Sequence, residues 1–495
     1  MFGDSAQYGN AVQLAVCLGL TALVGLLTWL NVRQAKRHDG SEQDVYLAGK
    51  GLSWVFVAGA ITLTNLSTDQ LVGMNGNQML LLAWWEIAGF VGLMILAFVF
   101  VPLYYRYNCT TVTELLERRY GGRSIRTLIS GLFLFGNILI YLPAALYSGG
   151  LFLQSLFGAQ IPLIVFSAIL AVIGAAYTIF GGLRAVAVMD TYSGIGILGL
   201  ALLIVFLALA AVDFDLSNVP AERLTMVGAS DSPIPFHTLF TGMIFIQVFY
   251  WSTNQNITQR AMAAPTVKEA RKGVFAAALI RILIVPPIVV LPGVVAYQLF
   301  GDVGDRAYGM LVAEVLPAWL SGAFAAMVAA AVITTFSAVL NSTVALYSVD
   351  FHEQYVGEVE NHWKLGAVMS VLATILAIML VPMFMTAESI INLLQQLNGL
   401  LSMPILSAFI AGLLFRNVGA PAAIAGVVWG VALYGGFSFW LQPAGLVAMH
   451  YIDFMVVTLV TSVIAALVFN RLVMGRKAEF IGFALFRKAG LPEAN

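Results

Sequence analysis

The sequence predicts an all-α integral membrane protein with about thirteen transmembrane helices. Hydrophobic residues make up 60% of the 495 positions and charged residues only 10%, whereas soluble domains carry roughly 25% charged residues. Apolar runs of about 20 residues, the length that crosses the hydrocarbon core as a helix, recur along almost the whole chain. The short alternating segments typical of transmembrane barrels are missing from the sequence. The net charge of −1 gives no indication of a nucleic-acid partner.

Short loops separate the predicted spans, and their charges indicate the orientation. Nearly all of the 24 Lys and Arg residues fall in every second loop, which places those loops in the cytoplasm by the positive-inside rule. The first apolar run is followed, rather than preceded, by basic residues, so we expect a retained helix with its N-terminus outside and a cytoplasmic C-terminus. The spans lie near residues 11–31, 53–78, 79–105, 127–156, 160–180, 190–212, 236–258, 274–298, 319–348, 364–384, 388–415, 418–440 and 450–472.

Two of these spans are interrupted by polar residues. Residues 61–73 read ITLTNLSTDQLVG, and residues 247–258 read QVFYWSTNQNIT. The two spans are five apart in the predicted order, and matching interruptions in two halves of a chain are typical of inverted-repeat transporters. Where a helix breaks, carbonyl groups lose their partners, and such backbone persists at membrane depth only when it is buried or lines a cavity. The pattern therefore predicts a ligand site at the breaks.

Adjacent hydroxyls in the ninth predicted span indicate which ion this site would take. The hydroxyl oxygens of Thr334 and Thr335 are neutral and could bind a cation together with the free carbonyls of a broken helix. Hard cations prefer such oxygen ligands. Neutral, weak ligands also allow a bound Na⁺ to leave, as transport requires. The alternative is that both hydroxyls bond back to carbonyls of their own helix, as Ser and Thr often do in membrane helices.

Several motifs in order along the chain resemble the sodium/solute symporter family, in particular its bacterial sodium/glucose- and sodium/galactose-type branch. They are YLAGK at 46–50, NLSTDQLVGM at 65–74, YWSTNQNITQR at 250–260, Gly273 with Arg281 and Leu291-Pro-Gly293, LNST at 340–343 and QQLNG at 395–399. The resemblance implies a LeuT-like core of two inverted five-helix repeats. It divides the chain into a leading helix and cytoplasmic linker (1–52), the first repeat (53–212), an outside loop (213–235), the second repeat (236–415), and two trailing helices with a cytoplasmic tail (416–495).

The same resemblance implies the ligands of one sodium ion. These are the carbonyl groups of Leu63, Leu66 and Ala331 and the hydroxyl groups of Thr334 and Thr335. Asp190 matches a family aspartate that is linked with sodium binding or release, and the alternative is that it only pairs with Arg184. The number of sodium ions moved with each solute stays open.

The resemblance also implies a sugar site. Its residues are Asn65, Gln70, Glu86, Gln247, Arg281 and Gln395, with Tyr250 as the aromatic gate on the inner side. Amides and carboxylates suit the hydroxyls of a pyranose, and an aromatic ring suits its flatter C–H face. Three alternatives remain: Glu86 pairs with Arg281 to neutralise both charges, Ile282 replaces Arg281 in the register, and Trp84 and Trp85 are interfacial anchors rather than ligand contacts.

These observations predict a sodium-coupled symporter that imports a small neutral solute, first of all a monosaccharide, by alternating access. The alternatives are the same fold with another solute, such as sialic acid, a carboxylate, an amino acid or a vitamin, and a transporter-like solute sensor. No catalytic motif points to an enzyme. The expected partners are Na⁺, the solute and the lipid bilayer, and helical bundles of this kind can work as monomers. Short loops favour a bacterial inner membrane.

Overall fold

The computed structural model describes residues 2–34, 47–158, 161–387 and 389–482. The chain is nearly all helical, because apolar segments in a membrane satisfy their backbone hydrogen bonds within each helix. The α-helices are Phe2–Gln34, Trp54–Asn65, Thr68–Gly76, Trp84–Ile95, Val101–Arg106, Val112–Tyr120, Arg123–Gly136, Leu142–Phe157, Leu163–Ala211, Ala221–Leu224, Gly242–Ser252, Gln255–Met262, Val267–Leu283, Val285–Phe300, Ala307–Val315, Ala318–Tyr347, His362–Phe384, Ile390–Leu414, Ala420–Gly436 and Tyr451–Leu472.

Shorter elements connect or extend these helices. Four are 3₁₀ turns, at Ala48–Lys50, Leu80–Ala83, Phe236–Phe240 and Gly304–Arg306. Four are π-helical turns, at Leu96–Phe100, Asn137–Tyr141, Ser348–Val356 and Phe437–Leu441. Two short strands, Phe415–Arg416 and Glu479–Phe480, pair antiparallel with Phe415 opposite Phe480.

Eleven helices in the described part of the chain are long and apolar enough to cross a membrane, and each corresponds to one predicted span. One pair is continuous in the helix Leu163–Ala211, where Gly182 separates the two spans with φ 56° and ψ −162°. Only glycine adopts such a conformation readily. The remaining two predicted spans, 53–78 and 236–258, are the two with polar interruptions, and each consists of two short helices.

We call these two elements the first interrupted helix (Trp54–Asn65 and Thr68–Gly76) and the second interrupted helix (Gly242–Ser252 and Gln255–Met262). The structure thus breaks the chain at the two polar clusters singled out in the sequence. The arrangement into two inverted repeats with flanking segments stays a prediction. Its linker residues 35–46 and tail residues 483–495 lie outside the described residues.

The helix Ala318–Tyr347 lies at the centre of the fold. Within its membrane span 94% of the most apolar window is buried, against 22% for the leading helix. It contacts the long helix Leu163–Ala211 and both halves of the first interrupted helix. The Thr334–Thr335 pair therefore lies on the element that packs against the first break.

A short helix, Val112–Tyr120, lies in the loop between the helices Val101–Arg106 and Arg123–Gly136. Thr111 and Glu114 form a capping box at its start, and Gly121 ends it in the left-handed region with φ 70°. Such caps satisfy backbone groups that a helix terminus leaves without partners. A buried cluster joins this loop to the end of the central helix, because Arg126 bonds both Glu117 and Asp350 at 2.6 Å.

Candidate functional site

The first interrupted helix breaks at Leu66 and Ser67. The amide of Leu66 still donates to the Thr62 carbonyl at 2.9 Å, but the backbone then leaves the helix, with Leu66 at φ −76° and ψ 55° and Ser67 extended at ψ 173°. Thr62 and Thr68 flank the break, and their buried hydroxyl oxygens have no hydrogen-bond partner among the described residues. The break thus holds polar oxygens that the protein itself does not satisfy.

A cavity of about 70 Å³ opens beside this break, enough for several water-sized groups. We call it the central cavity. The two interrupted helices and the helix Ile390–Leu414 contribute most of its wall. Its lining residues are Asn65, Asp69, Gln70, Trp85, Tyr141, Ile246, Gln247, Tyr250, Trp251, Ile391, Leu394, Gln395 and Asn398. Five of the seven predicted substrate residues (Asn65, Gln70, Gln247, Tyr250 and Gln395) are therefore brought together here.

Asn65 and Tyr250 connect the two interrupted helices across the central cavity. With its amide oriented so that both ends are satisfied, Asn65 donates to the Tyr250 hydroxyl at 2.7 Å and accepts from Gln70 Nε2 at 3.1 Å. The Tyr250 ring stands edge-on to Trp251, with ring centroids 5.3 Å apart. A group that binds here would meet amides on one wall and aromatic faces on the other.

Glu86 and Arg281, the other two predicted substrate residues, form a buried ion pair behind Gln70 instead of lining the cavity. Each is 1% exposed, and Arg281 Nη2 bonds Glu86 Oε2 directly. Gln70 donates from Nε2 to Glu86 at 2.7 Å and accepts from Arg281 at 3.3 Å. The pairing alternative is therefore the observed arrangement, because two charges buried at membrane depth must compensate each other. Ile282 is not among the lining residues.

The two tryptophans at 84 and 85 have different surroundings. Trp84 donates from its indole nitrogen to the carbonyl of Met226 in the loop that follows the helix Leu163–Ala211, at 2.8 Å. Trp85 lines the central cavity. Gln247 donates to the Trp85 carbonyl at 2.7 Å and accepts from Trp251 at 2.9 Å, so its amide also holds the aromatic wall in place.

The residues predicted for sodium lie on the first break and on the central helix that packs against it. Leu63 lies in the last turn before the break and Leu66 within it. Thr334 donates its hydroxyl to the Ala331 carbonyl at 3.1 Å, which is the back-bonding alternative. Thr335 differs, because its hydroxyl oxygen is buried and has no hydrogen-bond partner among the described residues. Its chemistry fits a cation ligand.

Asp190 lies beside Arg260 of the second interrupted helix. The Asp190 Oδ2 to Arg260 Nη2 distance is 3.8 Å, and each side chain is 1% exposed. Arg260 also donates to the carbonyl of Asn256 within its own helix. The expected alternative partner, Arg184, has a side chain outside the described residues.

Sequence reasoning missed three polar residues of the central cavity: Asp69, Tyr141 and Asn398. Tyr141 donates to Asn398, which donates to Gln395 at 3.3 Å. Asn398 and Gln395 are three positions apart and so share one helix face, and that spacing was the available signal. Tyr141 lies in a π-helical turn, Asn137–Tyr141, and such turns occur often at functional sites.

Comparison with known proteins assigns the chain to a family. The model of the "SSF: Sodium:solute symporter family" matches residues 45–430. An uncharacterized symporter of Escherichia coli K12, YidK, is 34% identical over 451 residues, covering 86% of this chain and 78% of the relative. The sodium/glucose cotransporter of Vibrio parahaemolyticus is 29% identical over 493 residues, covering 92% of this chain and 88% of that protein.

Solved structures agree on the fold. A Na⁺-coupled sialic acid symporter, solved in a substrate-bound outward-open state, superposes with a TM-score of 0.78 at 18% identity, covering 95% of this chain and 99% of the other. Mhp1, a nucleobase-cation-symport-1 family transporter, gives a TM-score of 0.56 at 16% identity, with 86% and 93% covered. The fold is that of the LeuT-like transporters. The chain belongs to the sodium:solute symporter family, and its co-transported ion is sodium.

Proposed function

We propose that this protein is a symporter that imports a small neutral solute, first of all a monosaccharide, by alternating access. The inward sodium gradient drives this import. The observation that carries the proposal is the set of unsatisfied oxygens at the first break, with the Thr335 hydroxyl on the helix packed against it. Of these oxygens, the Thr335 hydroxyl belongs to the predicted sodium ligands, and a bound cation would supply the partner that it lacks. The central cavity begins at the same break, so ion and solute would share Asn65 through Gln70.

The lining of the central cavity supports a sugar. The amides of Gln70, Gln395 and Asn398 and the hydroxyl of Tyr250 can donate to or accept from vicinal hydroxyls. Trp85 and Trp251 offer flat aromatic surfaces for the C–H face of a pyranose. Tyr250, which bonds Asn65 across the cavity, would serve as the inner gate.

Coupling follows from the shared segment. Sodium bound at Leu63, Leu66, Ala331, Thr334 and Thr335 would order the backbone between Asn65 and Gln70 and so favour solute binding. Coupling between two sites is typically about 1–3 kcal/mol, and moving one positive charge inward across 100 mV adds about 2.3 kcal/mol. Asp190, close to Arg260, would respond to sodium binding or release. We place the protein in a bacterial inner membrane with its N-terminus outside and its C-terminus in the cytoplasm.

Uptake of radiolabelled solutes into proteoliposomes with an inward sodium gradient tests the proposal. The panel is glucose, galactose, fucose, sialic acid and proline, with potassium replacing sodium as the control. We expect one neutral sugar to accumulate and the accumulation to collapse in potassium. If only sialic acid or proline accumulates, the monosaccharide is wrong and sodium coupling stands. If a neutral sugar enters equally fast in potassium, sodium coupling of its uptake is wrong.

A further inference from the structure

We propose that Asp69 is a charge-selecting residue of the central cavity, which accepts neutral polyhydroxylated solutes and rejects solutes that carry a carboxylate. The inference rests on the proposed function and narrows its substrate class. Asp69 is the one ionisable acid among the lining residues of the described structure, and no Lys, Arg or His lines the cavity with it. It is half-buried, as expected for a side chain at a cavity wall.

The position of Asp69 favours its ionised form. It lies in the first turn of the helix Thr68–Gly76, directly after the break. Free amides and the helix dipole give a helix N-terminus a partial positive charge, which stabilises a carboxylate there. The Ser67 hydroxyl adds a hydrogen bond to Asp69 Oδ1. The Ser67 hydrogen bond and the helix N-terminus thus favour the carboxylate form, whereas burial at the cavity wall opposes ionisation.

The same position is where a transporter of this architecture can hold an anionic substrate. In transporters with discontinuous helices, the N-terminus of a half-helix points at the anionic group of the substrate, because such a terminus is a ready-made anion site. Here the carboxyl group of Asp69 itself lies at the N-terminus of the half-helix Thr68–Gly76. A substrate carboxylate would lose that site and meet a like charge across the cavity.

The neighbouring cations do not compensate for Asp69. Arg281 is paired with Glu86 and also donates to Asn65 at the cavity wall, and Arg260 has Asp190 at 3.8 Å. Each arginine thus has a carboxylate of its own in a neighbouring helix. With Asp69 ionised, the wall of the central cavity carries a net negative charge, whereas its amides and hydroxyls are neutral. A sugar hydroxyl can donate to Asp69, but a uronate or sialic acid cannot approach it without repulsion.

The test compares galactose with its uronic acid. Sodium-driven uptake of radiolabelled galactose is inhibited with unlabelled galactose or galacturonate, and the ratio of the two half-inhibitory concentrations is the readout. Asp69→Asn removes the charge at constant size, and Asp69→Glu keeps it. Asp302→Asn is the matched control, because that carboxylate is 67% exposed and pairs with Arg223 at 3.0 Å, away from the cavity.

We expect galacturonate to be at least about tenfold weaker than galactose in the wild type, since a like charge at contact distance is strongly unfavourable in a site that is shielded from water. In Asp69→Asn, the ratio of the half-inhibitory concentration of galacturonate to that of galactose should fall by about tenfold. Asp69→Glu and Asp302→Asn should leave this ratio unchanged. Trp85 and Trp251 line the cavity, so sodium-dependent quenching of tryptophan fluorescence by each sugar gives the same ratio if a variant binds without transporting.

Two results overturn the inference while leaving the symporter intact: galacturonate as potent as galactose in the wild type, or an unchanged ratio in Asp69→Asn. Accumulation of sialic acid by the wild type in preference to every neutral sugar overturns both the inference and the monosaccharide proposal. Failure of galactose, glucose and fucose to bind or enter in sodium refutes the monosaccharide proposal itself, and the inference falls with it.

Discussion

The two interrupted helices are alike in sequence and differ in how their polar groups are satisfied. At the second break, Ser252 donates to the Gly92 carbonyl at 2.8 Å and its own carbonyl accepts from Tyr104 at 2.9 Å. Thr253 donates back to Phe249, and the Asn254 side chain caps the next helix at 2.9 Å. At the first break, the hydroxyl oxygens of Thr62 and Thr68 are buried without a partner in the described structure.

This difference separates a structural break from a binding break. A buried polar group without a partner costs free energy, and such groups persist where a ligand or ion supplies the missing bond. At the second break, Ser252, Thr253 and Asn254 find partners within the protein, whereas Asn256 Oδ1 in the following helix has no partner among the described residues. The first break lies on a helix packed against the one that carries Thr335, and a cation there would supply the partner that the Thr335 hydroxyl lacks. Polar composition alone therefore does not identify an ion site, and the hydrogen-bond partners decide it.

Removing both hydroxyls opposite the first break gives the largest expected effect. In Thr334→Ala/Thr335→Ala, stimulation of uptake by sodium, expected at about 5- to 150-fold, should fall to about one, because the ion loses its two side-chain ligands. Uptake in sodium and in potassium measures the ratio. Thr343→Ala is the control, since that hydroxyl on the same helix is bonded to the Val339 carbonyl at 2.7 Å. Undiminished sodium stimulation of uptake in the double variant would contradict the assignment of Thr334 and Thr335 as sodium ligands.

The ion pair behind the first break should matter next, for stability. Arg281 donates to the Thr62 carbonyl at 3.1 Å and pairs with Glu86. Glu86→Gln leaves Arg281 buried without its counter-charge, which typically costs about 3–5 kcal/mol. Thermal melting in detergent should show a large fall, partly recovered in Glu86→Gln/Arg281→Gln. Asp302→Asn, which neutralises a carboxylate that is 67% exposed, should cost only about 0–1 kcal/mol. Equal melting of Glu86→Gln and wild type would contradict a structural role for the pair.

A change at the second break should affect stability without affecting sodium. Asn254→Ala removes the side-chain cap of the helix Gln255–Met262, at a cost of about 1 kcal/mol. We expect a lower melting temperature and an unchanged sodium concentration for half-maximal uptake. A weakened sodium dependence would show that both breaks bind the ion, so the second break would not be purely structural.

A last effect, which appears only as the pH rises, concerns the far end of the first interrupted helix, where Asp305 packs on Gly76. Asp305 accepts from the Ile390 amide at 2.9 Å, and burial raises the pKa of this carboxyl to about 6. An unfolded aspartate ionises near pH 3.9, so protonation favours the folded state. Stability should be greatest below about pH 4 and should fall as the pH rises from about 4 to 6.

Asp305→Asn mimics the protonated side chain and removes this dependence. Above pH 6 the variant should be more stable than the wild type by about 1–2 kcal/mol, and the difference should vanish near pH 4. Melting temperatures across that range measure it, with Asp302→Asn as the exposed control. If Asp305→Asn is less stable than the wild type at pH 8, the hydrogen bond from the Ile390 amide to the Asp305 carboxylate outweighs the cost of burying that charge.

The helical membrane architecture and the positions of both breaks can be predicted from the sequence alone. These features are local: an apolar run of about 20 residues is a span wherever it occurs, and a polar cluster inside it reads as an interruption. The family motifs also indicated five residues that line the central cavity, namely Asn65, Gln70, Gln247, Tyr250 and Gln395.

Which polar groups have partners depends on how the helices pack and is visible only in the folded chain. Glu86 and Arg281 are 195 positions apart, and Asp190 faces Arg260 on another helix, so no local pattern could distinguish a ligand-binding charge from a compensated one. The same holds for Asp69, whose role depends on the absence of a cation from the cavity wall in the described structure. Hydrogen bonds and ion pairs between distant helices are set by packing, because each requires atoms from separate segments to lie within about 3–4 Å.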